Sequence, residues 1–184
     1  RVALHLLARR ALVDAPDREF DGFLNDLIDR PTKHVLLDEL YFFRSYLSLY
    51  SGQYGHSEAD ATRLLDLFPG SSFKANAIRL LAFVSWQWDP PRYRTAADYL
   101  RQLREHLPDG RERARAAVLM ADCYYLNGDF RNAASAYGTA LMEADTGSLD
   151  KGPIVFQKVM AEIYSGNLES AIGELNRAGY DPGI

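Results

Sequence analysis

The chain has 184 residues, of which 47% are hydrophobic and 25% charged, the balance of a folded protein rather than a disordered one. Its formal net charge of −4 argues against a nucleic-acid partner, because binding to phosphates requires a basic surface. One cysteine, Cys123, excludes a disulfide framework and a cysteine-rich metal site, and no uncharged apolar stretch has the length of a membrane span.

Apolar residues at helical spacing dominate the first half of the chain. They predict a helix over residues 2–13, a second apolar stripe over residues 20–28 and a long aromatic helix over residues 32–50. Gly52 ends the third helix, and the next helix is predicted over residues 57–68, about two residues later than the repeat spacing requires. The third helix is expected to place these residues on one face: Leu36, Leu40, Phe43, Leu47 and Tyr50.

The second half of the chain repeats this alternation of helices and turns. At Asn127-Gly128, both flanks have helical spacing, so we expect Gly128 to take a positive φ where a helix ends, with Gly52 and Gly166 in the same role. Cys123 is expected to be a small buried side chain. The predicted helices of this half cover residues 72–88, 93–107, 111–126, 130–143, 153–164 and 168–178.

Residues that break helices recur at a constant interval. Five of them are each 38 residues apart: Asp14, Gly52, Pro90, Gly128 and Gly166. A second set falls between them: Pro31, Pro69, Pro108 and Pro182. Two such sets indicate a chain of helical hairpins, so we predict a single all-α domain over residues 1–184, an α-solenoid of about five antiparallel helical hairpins. Their expected boundaries are residues 1–31, 32–69, 70–108, 109–145 and 146–182.

One segment, residues 117–141, places small and aromatic side chains at regular helical positions around a Gly-Asp-Phe turn. The residues that form this pattern are Ala121, Tyr124, Gly128, Asp129, Phe130, Ala133, Tyr137 and Ala140. The pattern resembles the tetratricopeptide repeat (TPR), and the other periods match it more loosely. The period of 38 residues in this chain departs from the 34 residues of the family.

The resemblance implies that the first helix of each hairpin lines a concave surface on which peptides or partner helices dock. Projection of the well-matched repeat onto its neighbours places these residues on that surface: Tyr46, Leu49, Trp88, Arg115, Asp122, Tyr125 and Met160. We expect Tyr46 and Tyr125 to face the groove, whereas Trp88 fits the groove and the core equally well. The set does not contain the combination of Lys, Asn and Arg with which some family members clamp a terminal carboxylate, which disfavours that ligand.

Residues that would indicate catalysis are scattered or incomplete. The sequence at 145–147, Asp-Thr-Gly, matches the aspartic-protease signature, but a second copy is missing and the motif follows a helix, so a loop is favoured. The histidines, His5, His34, His56 and His106, are scattered along the chain and lack metal-ligand spacing. We therefore predict no catalytic residue, no metal and no cofactor.

The function that the sequence favours is a non-enzymatic scaffold, bacterial in origin, that binds a protein or peptide through the concave face. One alternative is a bacterial envelope scaffold for secretion or polysaccharide export, in which groove aromatics stack on sugars. Another is a regulatory or sensor arm of a larger protein whose catalytic or DNA-binding domain lies elsewhere. We expect the chain to be a piece of a longer polypeptide, in either the bacterial cytoplasm or the periplasm.

Overall fold

A computed structural model describes residues 18–30, 35–144, 150–177 and 179. Within these ranges the chain forms nine α-helices and no strand. The predicted helix over residues 2–13 and the Asp-Thr-Gly sequence at 145–147 lie outside the described residues. The helices are α1 (Arg18–Ile28), α2 (Leu37–Tyr50), α3 (Tyr54–Leu67), α4 (Lys74–Gln87), α5 (Tyr93–Glu105), α6 (Gly110–Leu126), α7 (Phe130–Glu143), α8 (Lys151–Tyr164) and α9 (Leu168–Arg177).

The helices belong to two compact units, Arg1–Pro90 and Pro91–Ile184. In the first unit each helix from α1 to α4 packs on the next in the chain, and α2 also contacts α4. In the second unit α5 to α9 pack in the same sequential manner. Each helix thus buries its apolar face mainly against chain neighbours, as in helical-repeat proteins. The boundaries of the five hairpins stay a prediction.

Three turns between helices share one geometry. Gly52, Gly128 and Gly166 have φ angles of 74°, 75° and 82°, which confirms the predicted positive φ. The amide after each glycine donates to the carbonyl five residues earlier, and the donor–acceptor pairs are Gln53 to Ser48 (2.8 Å), Asp129 to Tyr124 (2.9 Å) and Asn167 to Glu162 (2.8 Å). This is the Schellman ending of a helix, which favours glycine because a Cβ is strained at positive φ.

Aspartate side chains begin three helices of the second unit. Asp109, Asp129 and Asp150 each accept a hydrogen bond from a backbone amide in the first turn of α6, α7 and α8. Such a cap satisfies one of the free amides at a helix start and contributes about 1 kcal/mol. The residue types at the turns therefore determine where these helices begin.

The contact between α6 and α7 is built from small side chains around one tyrosine. Tyr137 is 1% exposed, and Cys123 is buried as predicted, with burial raising the pKa of its thiol to about 12. Small side chains let two helix backbones approach closely, and the large ring fills the remaining space. The buried alanines of the two helices are Ala114, Ala116, Ala117 and Ala121 on α6 and Ala133, Ala136 and Ala140 on α7.

The structure shows which residues of α2 are buried. Tyr41, Ser45 and Ser48 are buried, whereas Tyr50, which was predicted to share one face with Leu40, is 62% exposed. The Ser45 hydroxyl donates to the Ser57 carbonyl on α3 at 2.7 Å. Serine can lie at a helix contact because it is small and because its hydroxyl finds an acceptor on the neighbouring helix. A prediction from hydropathy alone would place an apolar residue at such a position.

The start of α3 also differs from the prediction. The helix begins at Tyr54 instead of residue 57, directly after the turn at Gly52. Its first helical hydrogen bond runs from the Ser57 amide to the Gln53 carbonyl at 3.0 Å. The predicted extra residues before this helix are therefore part of its first turn.

Two glycine substitutions separate backbone strain from packing. We expect Gly128→Ala to lower the free energy of unfolding by about 1 kcal/mol, because alanine is strained at the positive φ of this turn. A Cβ at Gly128 would meet no atom within 4 Å, so a steric clash cannot be the cause. Urea unfolding monitored by circular dichroism gives the measurement.

The matched control is Gly138→Ala in the interior of α7. Its Cβ would lie 3.6 Å from the Lys158 Cε, an ordinary contact, so the higher helix propensity of alanine should raise the free energy of unfolding by about 0.5–1 kcal/mol. Equal effects of the two substitutions would contradict the role assigned to the turn.

Candidate functional site

An aromatic groove lies between α2 and α4 in the first unit. It has a volume of about 660 Å³. We call it the α2–α4 groove. Its lining residues are Phe42, Tyr46, Leu49, Tyr50, Tyr54, Asn76, Arg79, Leu80, Phe83 and Gln87.

One wall of the groove is a line of aromatic rings along α2. Phe42, Tyr46 and Tyr50 are four residues apart, which places them on one helix face. Their ring centroids are 6.1 Å apart for the first pair and 5.1 Å for the second. Phe73, just before α4, stacks on Phe42 at 4.9 Å. The rings thus support one another and hold the wall in place.

The polar groups of the groove are neutral apart from one cation. Arg79 is the charged residue among the described lining residues, while Asn76 and Gln87 contribute side-chain amides. A hydrogen bond to Tyr50, together with partial burial, raises the pKa of the Tyr46 phenol. Tyr46 therefore keeps its proton near neutral pH.

The predicted site residues of the first unit lie in and beside this groove. Tyr46 and Leu49 line it. Trp88 follows the last residue of α4, and its ring centroid lies 6.4 Å from that of Tyr54. It lines a smaller cavity of about 380 Å³ that also includes His56. Tyr54 belongs to both cavities and links Trp88 to the groove.

Eight lining residues were not among the predicted site residues: Phe42, Tyr50, Tyr54, Asn76, Arg79, Leu80, Phe83 and Gln87. A signal for the α2 wall was present in the sequence, because three aromatics at a spacing of four residues define one helix face. Phe83 and Arg79 have no comparable signal, since only the contact of α4 with α2 places them opposite these rings.

A buried ion pair joins α2 to α3 below the surface of the first unit. The Arg44 guanidinium donates to both carboxylate oxygens of Asp60, at 2.6 and 2.8 Å, and to the Asn25 side chain of α1 at 2.9 Å. The hydrogen bond to Asp60 is the main cause of the raised pKa of Arg44. All three guanidinium nitrogens are engaged, so this arginine connects three helices instead of presenting a ligand site.

The predicted residues of the second unit do not form a cavity of this kind. Arg115 is exposed, and Met160 is half-buried on α8. Asp122 on α6 accepts a hydrogen bond at 2.5 Å from the buried Tyr137 hydroxyl on α7. Burial raises the pKa of Asp122 and the hydrogen bond opposes this, so the net direction is upward. Asp122 thus connects two helices.

Tyr125 belongs to a cluster of three aromatic rings at the ends of α6 and α8 and the start of α7. Its ring centroid is 5.2 Å from that of Phe130 and 6.0 Å from that of Tyr164, and the latter two rings are 5.1 Å apart. Tyr164 is 56% exposed. Both edge-to-face contacts of Tyr125 are favourable packing geometries. The cluster therefore stabilises the hairpin end and leaves one ring at the surface.

A second cavity, of about 870 Å³, lies along α7, α8 and α9. Four of its five charged side chains pair with one another: the Lys158 ammonium contacts the carboxylates of Glu162 and Glu174, and Arg177 lies 3.3 Å from Glu174. Ser170 donates to Glu162 at 2.8 Å. These polar groups mainly form hydrogen bonds and ion pairs with one another, which distinguishes this cavity from the aromatic groove of the first unit.

Two further properties bear on function. Among the described side chains, no three His, Cys, Asp or Glu residues come together as a metal site. In the same part of the chain, no helix is both long and apolar enough to cross a membrane.

The Asp122–Tyr137 contact has a testable dependence on pH. Because the pKa of Asp122 is raised in the folded state, charging this group costs stability at neutral pH, and the cost vanishes as pH falls through its pKa. Asp122→Asn removes the charge but keeps an oxygen that can accept from Tyr137. We expect the variant to be more stable than the parent near neutral pH, with the difference shrinking toward about pH 4.

Tyr137→Phe provides the complementary change. It removes the donor from a half-buried carboxylate, so we expect the free energy of unfolding to fall by about 1 kcal/mol near neutral pH. Urea unfolding at both pH values measures the two variants. A constant difference between Asp122→Asn and the parent across this range would contradict the assigned direction.

Comparison with solved structures places the fold among helical-repeat proteins. The crystal structure of BtubC (BKLC) from P. vanneervenii is similar at 15% identity with a TM-score of 0.66, covering 96% of this chain and 77% of that one. MamA from Desulfovibrio magneticus RS-1, which contains TPRs, is similar at 14% identity with a TM-score of 0.61, covering 95% and 90%. No family model and no curated protein matches the sequence. The predicted fold class, an all-α helical-repeat solenoid, is confirmed.

Proposed function

We propose that this chain is a non-catalytic interaction scaffold that binds a segment of a partner protein in the α2–α4 groove. The observation that carries the proposal is an exposed aromatic surface in a concave site: Tyr50 is 62% exposed and Phe83 is 53% exposed, on opposite helices of the groove. Large exposed rings in a groove are typical anchor sites for a partner, because they bury much area with few rotatable bonds.

The groove is also ordered before any partner arrives. Phe42 packs against the rings of Tyr46 and Phe73, and Tyr46 packs against the ring of Tyr50. A surface held in this way loses little side-chain entropy on binding, so more of the contact energy is available for affinity. The helical-repeat fold, which is suited to protein interaction, supports the same proposal.

The alternatives, an export scaffold or a sensor arm, concern a longer protein of which this chain would be one part. Both use the groove as a binding surface, so the first experiment addresses the groove itself. If the partner is a polysaccharide, its sugar rings would stack on the same aromatic side chains of the groove in place of a protein segment.

Photo-crosslinking tests whether the groove is the binding surface. A photoreactive phenylalanine analogue replaces Phe83 in the groove or, as control, Leu67, which is 56% exposed on α3 and does not line the groove. We expect illumination in a lysate of the source organism to link a defined protein to the Phe83 position and not to the Leu67 position. Tyr50→Ala should reduce the yield at Phe83 severalfold, because it removes an anchor from the opposite wall.

Circular dichroism spectra that match the parent would show that each variant is folded. Equal crosslinking at both positions would count against the groove as the specific surface. A crosslinked species that is degraded by a glycosidase but not by a protease would identify the polysaccharide alternative.

A further inference from the structure

We propose that Asn127 is a site of spontaneous deamidation and that the turn between α6 and α7 controls the rate of this reaction. The inference concerns the second unit and is independent of the α2–α4 groove. It follows from the residues of the turn, from the exposure of the Asn127 side chain and from the backbone geometry that surrounds it.

The residue types of the turn favour the reaction. An asparagine deamidates most readily before a glycine, because glycine has no Cβ that would hinder attack by its own backbone nitrogen. Asn127 is the asparagine of this chain that precedes a glycine, whereas the others precede residues with a side chain. The two turns of the same geometry have serine at the equivalent position, Ser51 and Ser165. Of these three turns, the one between α6 and α7 carries the side-chain amide.

The reaction consumes water and no other reagent. The backbone nitrogen of Gly128 attacks the side-chain carbonyl carbon of Asn127, and the bond from this carbon to the side-chain nitrogen breaks. Ammonia leaves with the proton of the Gly128 amide, and a succinimide ring remains. Water then cleaves one of the two bonds from the Gly128 nitrogen to a ring carbonyl. Cleavage on the side-chain side gives aspartate, and cleavage on the main-chain side gives isoaspartate.

The Asn127 side chain is accessible to water and is not restrained by a hydrogen bond. It is exposed, and no side-chain hydrogen bond joins it to another described residue. In the two related turns the serine hydroxyl donates to a carbonyl of the preceding helix, from Ser51 to Leu47 at 3.1 Å and from Ser165 to Glu162 at 2.9 Å. The Asn127 amide therefore rotates more easily toward the backbone than a group held in this way.

The folded turn nevertheless holds the two reacting groups apart. Asn127 has a φ of −80° and a ψ of −1°, so the Gly128 nitrogen eclipses the Asn127 nitrogen and is rotated by roughly a third of a turn from Cβ. The Gly128 N–H also donates to the Tyr125 carbonyl at 3.0 Å. Closure of a five-membered ring requires the Gly128 nitrogen to rotate toward Cβ, which breaks this hydrogen bond. Deamidation must therefore wait until the turn opens.

Isoaspartate does not fit this turn. It adds one carbon atom to the backbone before Gly128, so the glycine leaves the position at which its positive φ lets the Asp129 amide reach the carbonyl five residues earlier. The rings of Tyr125 and Phe130, which are in contact, flank the turn on its two sides. Deamidation therefore converts a tight turn irreversibly into a looser one and weakens this end of the α6–α7 hairpin.

Peptide mapping by mass spectrometry measures the rate. The full chain is incubated at neutral pH, either folded or unfolded in guanidinium chloride, and is then digested with trypsin. Cleavage after Arg115 and Arg131 releases residues 116–131, in which Asn127 is the one asparagine. We expect Asn127 to deamidate in the unfolded chain and to do so about tenfold or more slowly in the folded chain, because opening a hydrogen-bonded turn costs free energy.

Two variants that remove a helix cap test whether the turn itself controls the rate. The Asp129 carboxylate accepts from the Asn132 amide and caps α7 directly after the turn. Asp129→Ala should therefore ease opening and raise the folded rate about fivefold, which corresponds to the loss of about 1 kcal/mol from a cap. Asp150→Ala removes the equivalent cap of α8 and should leave the rate unchanged. Each folded rate is divided by the rate of the same variant when unfolded, which corrects for effects on the chemical step.

A second measurement concerns the product. The deamidated chain is separated by ion exchange through its new negative charge, and its unfolding in urea is compared with that of the parent. We expect a lower urea midpoint for the isoaspartate form. Asn127→Asp introduces the same charge without the additional backbone atom, so its midpoint should fall less. Asn127→Ser, with the residue of the two related turns, should stay unmodified and keep the helical content of the parent.

The possible results separate the site from its control. Equal rates in the folded and unfolded chain would overturn control by the turn. Equal acceleration by Asp129→Ala and Asp150→Ala would also overturn it, since the unit would then open as a whole. An unfolded chain that stays unmodified at Asn127 would overturn the site itself. A urea midpoint of the isoaspartate form equal to that of the parent would contradict the effect assigned to the hairpin.

Discussion

The close approach of neighbouring helices is the constraint on which the rest of this structure depends. Each helix packs mainly on its chain neighbours, so a small change in spacing at one contact displaces every surface built on it. Alanines are buried on both α6 and α7, and a hydrogen bond from Ser45 to the Ser57 carbonyl joins α2 to α3. Large side chains, Tyr137 above all, then fill the space that remains.

The α2–α4 groove is a consequence of that packing. Since α2 buries Tyr41, Ser45 and Ser48, its opposite face points away from α3 and carries the aromatic rings. The contact of α2 with α4 brings a second helix alongside, so that Tyr50 and Phe83 border one cavity. The same residues that secure the hairpin thus determine which aromatics stay at the surface.

The groove and the remaining polar groups of the chain have different roles for a physical reason. Arg44 and Asp60 satisfy each other in a partly buried pair, and Asp122 satisfies Tyr137. A buried charge or hydroxyl without a partner lowers the stability of the fold. Such groups are therefore paired inside the protein and do not present a ligand site. The groove, in contrast, presents exposed aromatic rings such as those of Tyr50 and Phe83.

The sequence by itself determined the helical-repeat class, because glycines at positive φ and prolines at a constant period report local backbone geometry. It also indicated Tyr46 and Leu49 as surface candidates. Local pattern could not assign Tyr50 to the surface, nor Ser45 to the helix contact, since burial depends on which neighbour covers a face. Only the tertiary structure decided which faces of α2 are covered, and it also placed Phe83 opposite the rings of α2. The physical reason is that a groove is formed by residues of two helices that are adjacent in space and separate in sequence.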